Sequence, residues 1–498
     1  MKLEKYINQL QGIERFGNGN PEIESITFDS RKAAKGVIFV AMQGTNSNGH
    51  DFIPAAIEAG APVIVCEKIP EGIFPNTTFL KVKNSAETLG YLANIYYNYP
   101  SHKLELVGVT GTNGKTTIAT LLYRLALEMG YKAGLISTIA NYINGKKFET
   151  NLTTPDALIL NSLMSQMIDQ GCDYCFMEAS SHAIAQKRIT GLKFRGGVFT
   201  NLSHDHLDYH GTFDNYLKTK KSFFDNLEKE AFALVNLDDR NGEVMIQNTK
   251  AQKYTYSIRE IADFKTKIIE SIPEGMALEI AGKELWTPLI GKFNVSNLTA
   301  IYGVAELLGW EKDEIIVKMS KLTSVEGRCQ TIRSDNGITA IVDYAHTPDA
   351  LKNIIETLNM IRKGGERLII VVGAGGNRDV SKRPEMAQEA VNGCDTVILT
   401  SDNPRFENPE DIINQMFEGI GNADLNKVLK ITDRREAIRT ACTLAKKGDF
   451  ILVAGKGHET YQEIKGIKYP FDDREIINDF FEKSKNISHS NNSIIHNS

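Results

Sequence analysis

Residues 106–117 read Leu-Val-Gly-Val-Thr-Gly-Thr-Asn-Gly-Lys-Thr-Thr, an apolar strand running into a glycine-rich turn that closes on Lys115-Thr116. Such a turn aims several backbone N–H groups at one spot, and a helix beginning near Thr116 adds the positive end of its dipole. Lys115 is placed to reach the terminal phosphates of a nucleoside triphosphate, and the Thr116 hydroxyl to ligate the magnesium they carry. Read strictly, G-x-x-x-x-G-K-[ST] asks for glycine at 109, which is Val109; Gly108 stands one place early. Gly111, Gly114, Lys115 and Thr116 keep the parts that do the physics. A glycine-rich connection of purely structural purpose has no use for lysine directly before Thr-Thr. The expected ligand is a nucleoside triphosphate, and the question becomes what happens to its γ-phosphate.

Two further clusters could serve that chemistry. Met177-Glu178-Ala179-Ser180-Ser181-His182 ends an apolar strand with a carboxylate, and the carboxyl edge of a parallel sheet is where ligands sit. Glu178 is therefore a candidate second magnesium ligand beside Thr116; without the phosphate turn it would read as a strand-terminal Glu facing water. Thr200-Asn201-Leu202-Ser203-His204-Asp205-His206-Leu207-Asp208-Tyr209-His210 packs three histidines and two aspartates into seven residues. That density suits metal, phosphate or proton transfer, with a solvated polar loop as the competing reading. Ten residues on, Tyr216-Leu217-Lys218-Thr219-Lys220-Lys221-Ser222-Phe223-Phe224 has the pattern of an amphipathic helix, whose lysines would ordinarily be a solvated face.

The elements that must position these groups alternate between strand and helix. Residues 1 to about 100 show strands at Gly36–Ala41 and Pro62–Cys66 around a helix at Phe52–Ala59, then a helix at Ser85–Tyr97 and a linker at Tyr99-Pro100-Ser101. The middle block carries the phosphate turn and strands at Tyr174–Glu178, Gly197–Thr200 and Phe232–Asn236. From about residue 332 the alternation is clean: Thr339–Asp343, Pro348–Ile361, Arg367–Val372, Pro384–Val391, Asp395–Thr400, Arg434–Ala445 and Phe450–Ala454. This predicts an α/β chain with parallel sheets covered on both faces, divided at 1–102, 103–331 and 332–483. Residues 484–498, rich in Ser, Asn and His, read as a disordered tail.

Composition narrows the class. The 498 residues suggest about three domains, and 42% hydrophobic with 24% charged residues is ordinary for a soluble globular chain. A net charge of −5 gives no basic excess to favour nucleic acid. Met1-Lys2-Leu3-Glu4-Lys5-Tyr6 is charged where a secretory signal would be apolar, and no run approaches transmembrane length. Six cysteines imply no disulfide framework, and Cys172-x-x-Cys175 lies in a strand-like stretch with no second pair at zinc spacing. A reducing cytoplasm is the expected compartment.

The motifs occur together in an order that resembles the Mur ligases, the ATP-dependent amide-forming enzymes of peptidoglycan precursor synthesis. These are the Gly-Thr-Asn-Gly-Lys-Thr-Thr turn, Glu-Ala-Ser-Ser-His, Asp-His-Leu-Asp-Tyr-His, Asn294-Val295-Ser296-Asn297, Glu326-Gly327-Arg328 and Asp343-Tyr344-Ala345-His346-Thr347-Pro348. The resemblance runs from Asp29 to Glu459. It implies a UDP-binding domain, a P-loop ATPase domain and a Rossmann-like domain for the incoming amino acid. Asn151-Leu152-Thr153-Thr154-Pro155, Asp402-Asn403-Pro404-Arg405 and Gly455-Lys456-Gly457-His458-Glu459 resemble the branch that adds a third amino acid to UDP-N-acetylmuramoyl-L-alanyl-D-glutamate. Asp-Asn-Pro-Arg is the version of adders of meso-diaminopimelate; lysine adders carry a different residue at position 405.

The same resemblance assigns roles. Gly111, Thr112, Asn113, Gly114, Lys115, Thr116 and Thr117 would cradle ATP, with Asn297 and His346 against adenine, Asp343 near the ribose and Arg328 near the γ-phosphate. Of two magnesium positions, Thr116 and Glu178 would hold the first. His206 would hold the second together with Lys220 as a carbamylated lysine, whose anionic oxygens suit a metal that an ammonium would repel; Lys218 and Lys221 stand close enough to leave that assignment open. Ser30 would meet the UDP end, and Thr153, Thr154, Ser180, Gln186 and Arg188 the muramoyl-dipeptide. Gly373-Ala374-Gly375-Gly376-Asn377-Arg378 has the wrong spacing for a dinucleotide fingerprint. Arg378 and Arg405 would instead take the carboxylates of diaminopimelate, since guanidinium forks match carboxylates through paired hydrogen bonds. Asp402, Asn403, Pro404, Gly455 and Glu459 would complete that pocket. Lys115, Lys220, His206, Glu178 and Arg328 form the expected catalytic set, in a monomer that neither binds nucleic acid nor enters a membrane.

Other readings make different demands. A lysine-adding relative would not need Arg405. Folylpolyglutamate synthase would not need the first block with its Asp29-Ser30-Arg31. A P-loop switch or motor would turn over ATP without UDP-muramoyl-dipeptide or an amino acid.

Overall fold

Val37-Ile38-Phe39-Val40 and Leu368-Ile369-Ile370-Val371-Val372 carry an apolar side chain at every position, as a parallel strand covered on both faces must. The computed structural model describes residues 1–44, 47–72, 74–150 and 152–483. Asn151 and the tail expected at 484–498 lie outside the described residues. Three large sheets follow one another along the chain, and a two-stranded ribbon, Tyr461–Ile464 with Ile467–Pro470, comes after them.

The first sheet has five strands, with Ser25–Thr27, Val37–Val40, Val63–Cys66 and Thr78–Lys81 parallel and Glu14–Phe16 antiparallel at one edge. Ile38, Val40, Val63 and Val65 pack on one face; Phe39, Ala41, Ile64 and Cys66 pack on the other. The middle sheet has eleven strands, and its parallel centre places Glu105–Thr110 between Tyr174–Glu178 and Gly196–Phe199. Here too the period of two sorts the core: Val107, Val109, Phe176 and Val198 on one face, Leu106, Cys175, Met177 and Phe199 on the other. In the third sheet Thr339–Asp343, Phe450–Ala454, Leu368–Val372 and Thr396–Leu399 run parallel between helices. All six cysteines are buried and free. Among the described residues, no helix is long and apolar enough to cross a membrane.

The sheets depart from pure parallel order at their margins. Asn141–Ile143 and Lys146–Phe148 form a hairpin on one side of the middle sheet, while Gly275–Ile280 and Lys283–Thr287 extend the other side antiparallel. Asn144 and Gly145 both have positive φ (44° and 89°), the conformation a two-residue hairpin turn needs. Tight turns, not helical crossovers, connect these strands, and so they pair antiparallel.

Position matters most at the carboxyl ends. Glu105–Thr110 opens into the glycine turn, Tyr174–Glu178 ends on its carboxylate, and Gly196–Phe199 leads into Thr200-Asn201. The parallel strands of the third sheet have their own carboxyl ends on one edge, before Gly373, Thr400 and Gly455 and at Asp343, and Asp343 lines the cleft beside the glycine turn. Asn113 Nδ2 donates to Asp349 Oδ2 at 3.3 Å across it.

Candidate active site

Gly111 is forced by its neighbours. Its φ is +147°, and a Cβ there would lie 1.9 Å from the Thr200 hydroxyl oxygen. Gly114, also with positive φ, precedes the helix Lys115–Glu128. The turn is pinned from outside: Thr112 N donates to Asn201 O at 2.8 Å and Asn113 N to Asn201 Oδ1 at 2.9 Å. Lys115 is folded onto the turn, its Nζ donating to Gly111 O (2.9 Å) and Thr112 O (2.7 Å). Burial pushes this ammonium's pKa down, only partly offset by Glu178 and Asp205. An anionic phosphate is the partner that would restore the balance.

Thr116 ties the middle sheet to the third block. Its hydroxyl donates to Glu178 Oε2 at 3.0 Å and itself accepts from Arg328 Nη2 at 3.1 Å. Glu178 is fully buried, and its second oxygen accepts from Thr138 N at 2.7 Å. Arg328 lies 4.4 Å over the Tyr344 ring, and its Nε is buried with no hydrogen-bond partner among the described residues. That orphaned donor beside the phosphate turn fits an oxyanion. Thr138 was not signalled by sequence, because only the fold brings its amide to Glu178.

A cleft of about 340 Å³ runs from the turn between the two sheets. Asn113, Gly114, Thr117, Asn297, Arg328 and Asp343 all line it. Asp343 is committed to the backbone: Oδ2 accepts from Cys329 N at 2.6 Å and Oδ1 from Ala345 N at 2.8 Å. His346 does not line the cleft. Its Nδ1 donates to Tyr344 O at 2.7 Å, and burial, with Lys382 adding to it, holds its pKa below the ordinary range against the pull of Asp205.

The lysine helix, Phe213–Asp225, sorts its three candidates by direction. Lys218 pairs outward with Asp214 at 2.5 Å, and Lys221 with Asp225 at 2.6 Å. Lys220 is 1% exposed and donates to Gly111 O at 2.7 Å, behind the phosphate turn. Burial, and then the charge of Lys115, push its pKa well below the usual lysine range. A neutral amine is the form that adds carbon dioxide. Its Nζ sits 4.6 Å over the Tyr216 ring, which also meets the His210 ring at 5.1 Å and the His206 ring at 6.3 Å. His206 has a left-handed backbone (φ 54°), as strained positions at functional sites often do. Burial, with His182 and Lys115 nearby, holds its imidazole below the ordinary range against the pull of Asp205. Neutral imidazole is the metal-binding form.

The dipeptide candidates form one network. Thr154 Oγ1 donates to Glu178 O at 2.7 Å and lies 3.2 Å from Ser180 Oγ; Thr153 meets Thr138 at 3.1 Å. Arg188 donates to Thr154 O at 2.7 Å and forks onto Gln186 Oε1. Ser30 is not part of this network; it opens the short turn Ser30–Lys32 at the edge of the first sheet.

In the third block two loops lie side by side. Arg405, with φ 51°, sends Nη1 to Gly376 O at 2.7 Å and Nε to within 3.4 Å of Glu463 Oε2. A Cβ on Gly375 would touch both Arg405 Nη1 and Arg378 Cγ, so the two arginines flank one point. Pro404 O packs so tightly on Gly376 that no side chain fits between them. Asp402 is buried beside Gly455. Asn403 is engaged within the protein, donating to Glu459 Oε2 at 2.7 Å and accepting from Lys456 Nζ and Glu463 N. It therefore orients Glu459 more than it offers a free amide. Lys456, Glu463 and the ion pair of the buried Arg383 with Glu407 were not singled out by sequence. Lys456 and Glu459 do stand three apart in one polar run, which is the signal that was available.

Three family models match in sequence order: Mur ligase family, catalytic domain, over residues 22–97; Mur ligase middle domain over 109–305; and Mur ligase, glutamate ligase domain, over 327–457. A protein of Phocaeicola vulgatus named UDP-N-acetylmuramoyl-L-alanyl-D-glutamate--2,6-diaminopimelate ligase is 56% identical over 481 residues, covering 97% of this chain and 99% of its own. A solved structure of a ligase of that name superposes with TM-score 0.66 at 34% identity, covering 93% of this chain and 95% of that one. Folylpolyglutamate synthase of Mycobacterium tuberculosis, solved with ADP and AMPPCP, shares the fold at TM-score 0.61 and 16% identity, but covers only 74% of this chain.

Proposed function

The chain belongs to the Mur ligase family, and from that premise we propose that it joins meso-diaminopimelate to UDP-N-acetylmuramoyl-L-alanyl-D-glutamate at the expense of ATP, releasing ADP and phosphate in peptidoglycan precursor synthesis. The observation that carries the choice of amino acid is the Arg405 guanidinium beside Gly375, with the stem of Arg378 on the same glycine, and the Glu459 carboxylate, which shares the surroundings of Tyr461 with Arg405. A diamino diacid offers a carboxylate to the first and an ammonium to the second. The 56% identity over nearly the whole chain supports the same reading.

A carboxylate has no usable leaving group, so the dipeptide's free carboxylate must first attack the γ-phosphate, giving an acyl phosphate and ADP. The amine of the incoming amino acid then attacks the acyl carbon, and phosphate leaves. Lys115 and Arg328 neutralise the charge gathered when two anions meet. Gly111, Thr112 and Asn113 shape the turn, Gly114 to Thr117 supply backbone donors to the phosphates, and Asn297 and Asp343 line the nucleotide cleft. Thr153, Thr154, Ser180, Gln186 and Arg188 hold the dipeptide, with Ser30 at its UDP end.

The residues fit magnesium. Thr116 and Glu178 place a hydroxyl and a carboxylate oxygen 3.0 Å apart at the phosphate turn, and His206 with Lys220, carbamylated, would serve a second ion. Among the described residues no group of three His, Cys, Asp or Glu side chains is arranged around one point, so phosphates and water would complete each shell, as magnesium prefers. When bound, the ions would neutralise the transferring phosphoryl group. The reading includes one domain for each of the three large sheets, a monomer and a cytoplasmic location, the last supported by six free, buried cysteines.

The test is ADP release by purified protein given the nucleotide precursor and a panel of free amino acids. Release that requires the precursor and is fastest with meso-diaminopimelate is expected; turnover independent of both would indicate a P-loop switch instead.

A further inference from the structure

Lys456 follows the strand Phe450–Ala454 and stands between Gly455 and Gly457, whose φ values of 111° and 53° swing it beneath the loop. Its side chain is fully buried. The ammonium donates to Glu459 Oε2 at 2.9 Å and to Asn403 Oδ1 at 3.0 Å, and lies 5.5 Å from the Tyr461 ring centre. Asn403 Nδ2 reaches the same Glu459 oxygen at 2.7 Å. Lys456 thus fixes both the Asn403 amide and the Glu459 carboxylate.

The charges around this point cancel. Arg405, Lys456 and Lys468 are set against Asp402, Glu459 and Glu463, with Lys468 Nζ 4.2 Å over the Tyr461 ring and Arg405 Nε 3.4 Å from Glu463 Oε2. Tyr461, at the centre, is raised in pKa by burial and then by Glu459, Glu463 and Asp402, opposed by Arg405, which places those charges around one ring. A pocket without net charge suits an amino acid whose far end carries an ammonium and a carboxylate together. An amino acid ending in an ammonium alone brings a charge the pocket does not complement.

We propose that Lys456 is a specificity-determining positioning residue: by neutralising Glu459 it makes the pocket select a zwitterionic side-chain end over a cationic one. This rests on the diamino-diacid reading above. The competing account is that Lys456 only ties the turn 455–459 together. The two differ in sign. Losing a structural tie weakens every amino acid alike. Losing the ammonium leaves an enclosed carboxylate uncompensated, which a cationic side chain then satisfies.

The experiment is competition between meso-diaminopimelate and lysine in the full-length enzyme, comparing kcat/KM ratios for the parent, Lys456→Met and Lys456→Ala. The ratio should fall by about tenfold or more in Lys456→Met. In Lys456→Ala, millimolar ethylammonium should restore use of meso-diaminopimelate, whereas ethanol should not. If Lys456→Met binds ATP but loses both amino acids in equal proportion, the proposal is overturned. Should that variant fail to fold, Glu459→Gln probes the balance from the other side. It leaves Lys456 unopposed and must raise the ratio, and an unchanged ratio overturns the proposal equally. A parent enzyme with no preference for meso-diaminopimelate would instead mark failure of the amino-acid reading.

Discussion

Arg328 reaches back across 212 positions of sequence to donate from Nη2 to the Thr116 hydroxyl, 3.1 Å away. The Thr116 hydroxyl donates in turn to Glu178, so its one oxygen links a side chain from the border of the third block to the strand end of the middle sheet. The contact couples the phosphate turn to the block that carries the amino-acid loops.

Thr116→Val keeps the shape of that side chain and removes both hydrogen bonds. Positioned charge accounts for most of phosphoryl transfer, so ADP formation should fall by about 10²–10³-fold with the fold intact. Arg328→Ala should lose a comparable amount. Steady-state ADP release, with circular dichroism as the folding control, checks both; near-parental rates in either variant would remove that residue from the mechanism.

Lys220→Ala should abolish ligation, and millimolar formate, acetate or bicarbonate should partly restore it. Lys220 is the one lysine of its helix directed at Gly111, whereas Lys218 and Lys221 are engaged with Asp214 and Asp225. A small carboxylate can fill the vacated space with the anionic oxygens that a carbamate would supply. No labile carbon dioxide adduct by gentle intact-mass analysis, together with no rescue, would make Lys220 an ordinary buried lysine.

Asp449, at the foot of the strand that leads to Gly455–Glu459, anchors it through Arg367. Arg367 donates from its amide to Oδ1 (2.9 Å) and from Nη2 to Oδ2 (2.7 Å), and Lys446 N adds a bond of 2.8 Å. Burial pushes the Asp449 carboxyl up, but these donors outweigh it and hold its pKa below the usual range. A depressed folded value means stabilisation that is present above the unfolded pKa of about 3.9 and lost as pH falls through the folded one. Asp449→Asn should cost about 1–3 kcal/mol at pH 7. The gap between parent and variant in urea unfolding should narrow below about pH 4. A gap that stays constant on acidification would show that the charge is not what matters.

The phosphate turn and the strand-end Glu178 are legible in sequence because their physics is local: a strand, a turn, a helix start. The double-sided sheets are legible too, since strands such as Leu368–Val372 have no polar face to expose. What escapes is set by long-range approach. Lys456, in the run Gly-Lys-Gly-His-Glu, looks solvated until Asn403 and Glu459 close around it. His346 belongs to a recognisable motif, but its buried setting beside Asp205 and Lys382 depends on how the third block meets the histidine loop. The hairpin at Asn144-Gly145 carried a turn signal within an otherwise parallel pattern, and the alternation of longer elements obscured it.

Arg405 is held in place from several sides before any ligand arrives. Its Nη1 donates to Gly376 O, its amide to Glu463 O at 3.0 Å, and its left-handed backbone sets the direction of the side chain. Meso-diaminopimelate differs from lysine chiefly by a second carboxylate at the far end, and an enclosed carboxylate requires a charged partner. Arg405→Ala should therefore raise the apparent KM for meso-diaminopimelate by about 10–100-fold, the loss expected for one or two charged hydrogen bonds. The KM for ATP, bound on the other side of the cleft, should move little. If Arg405 serves only to cap the loop after Thr396–Leu399, both constants and the folding temperature will shift together. A lysine kcat/KM in the unmutated enzyme equal to that for meso-diaminopimelate would overturn the role of Arg405 while leaving the ligase itself standing.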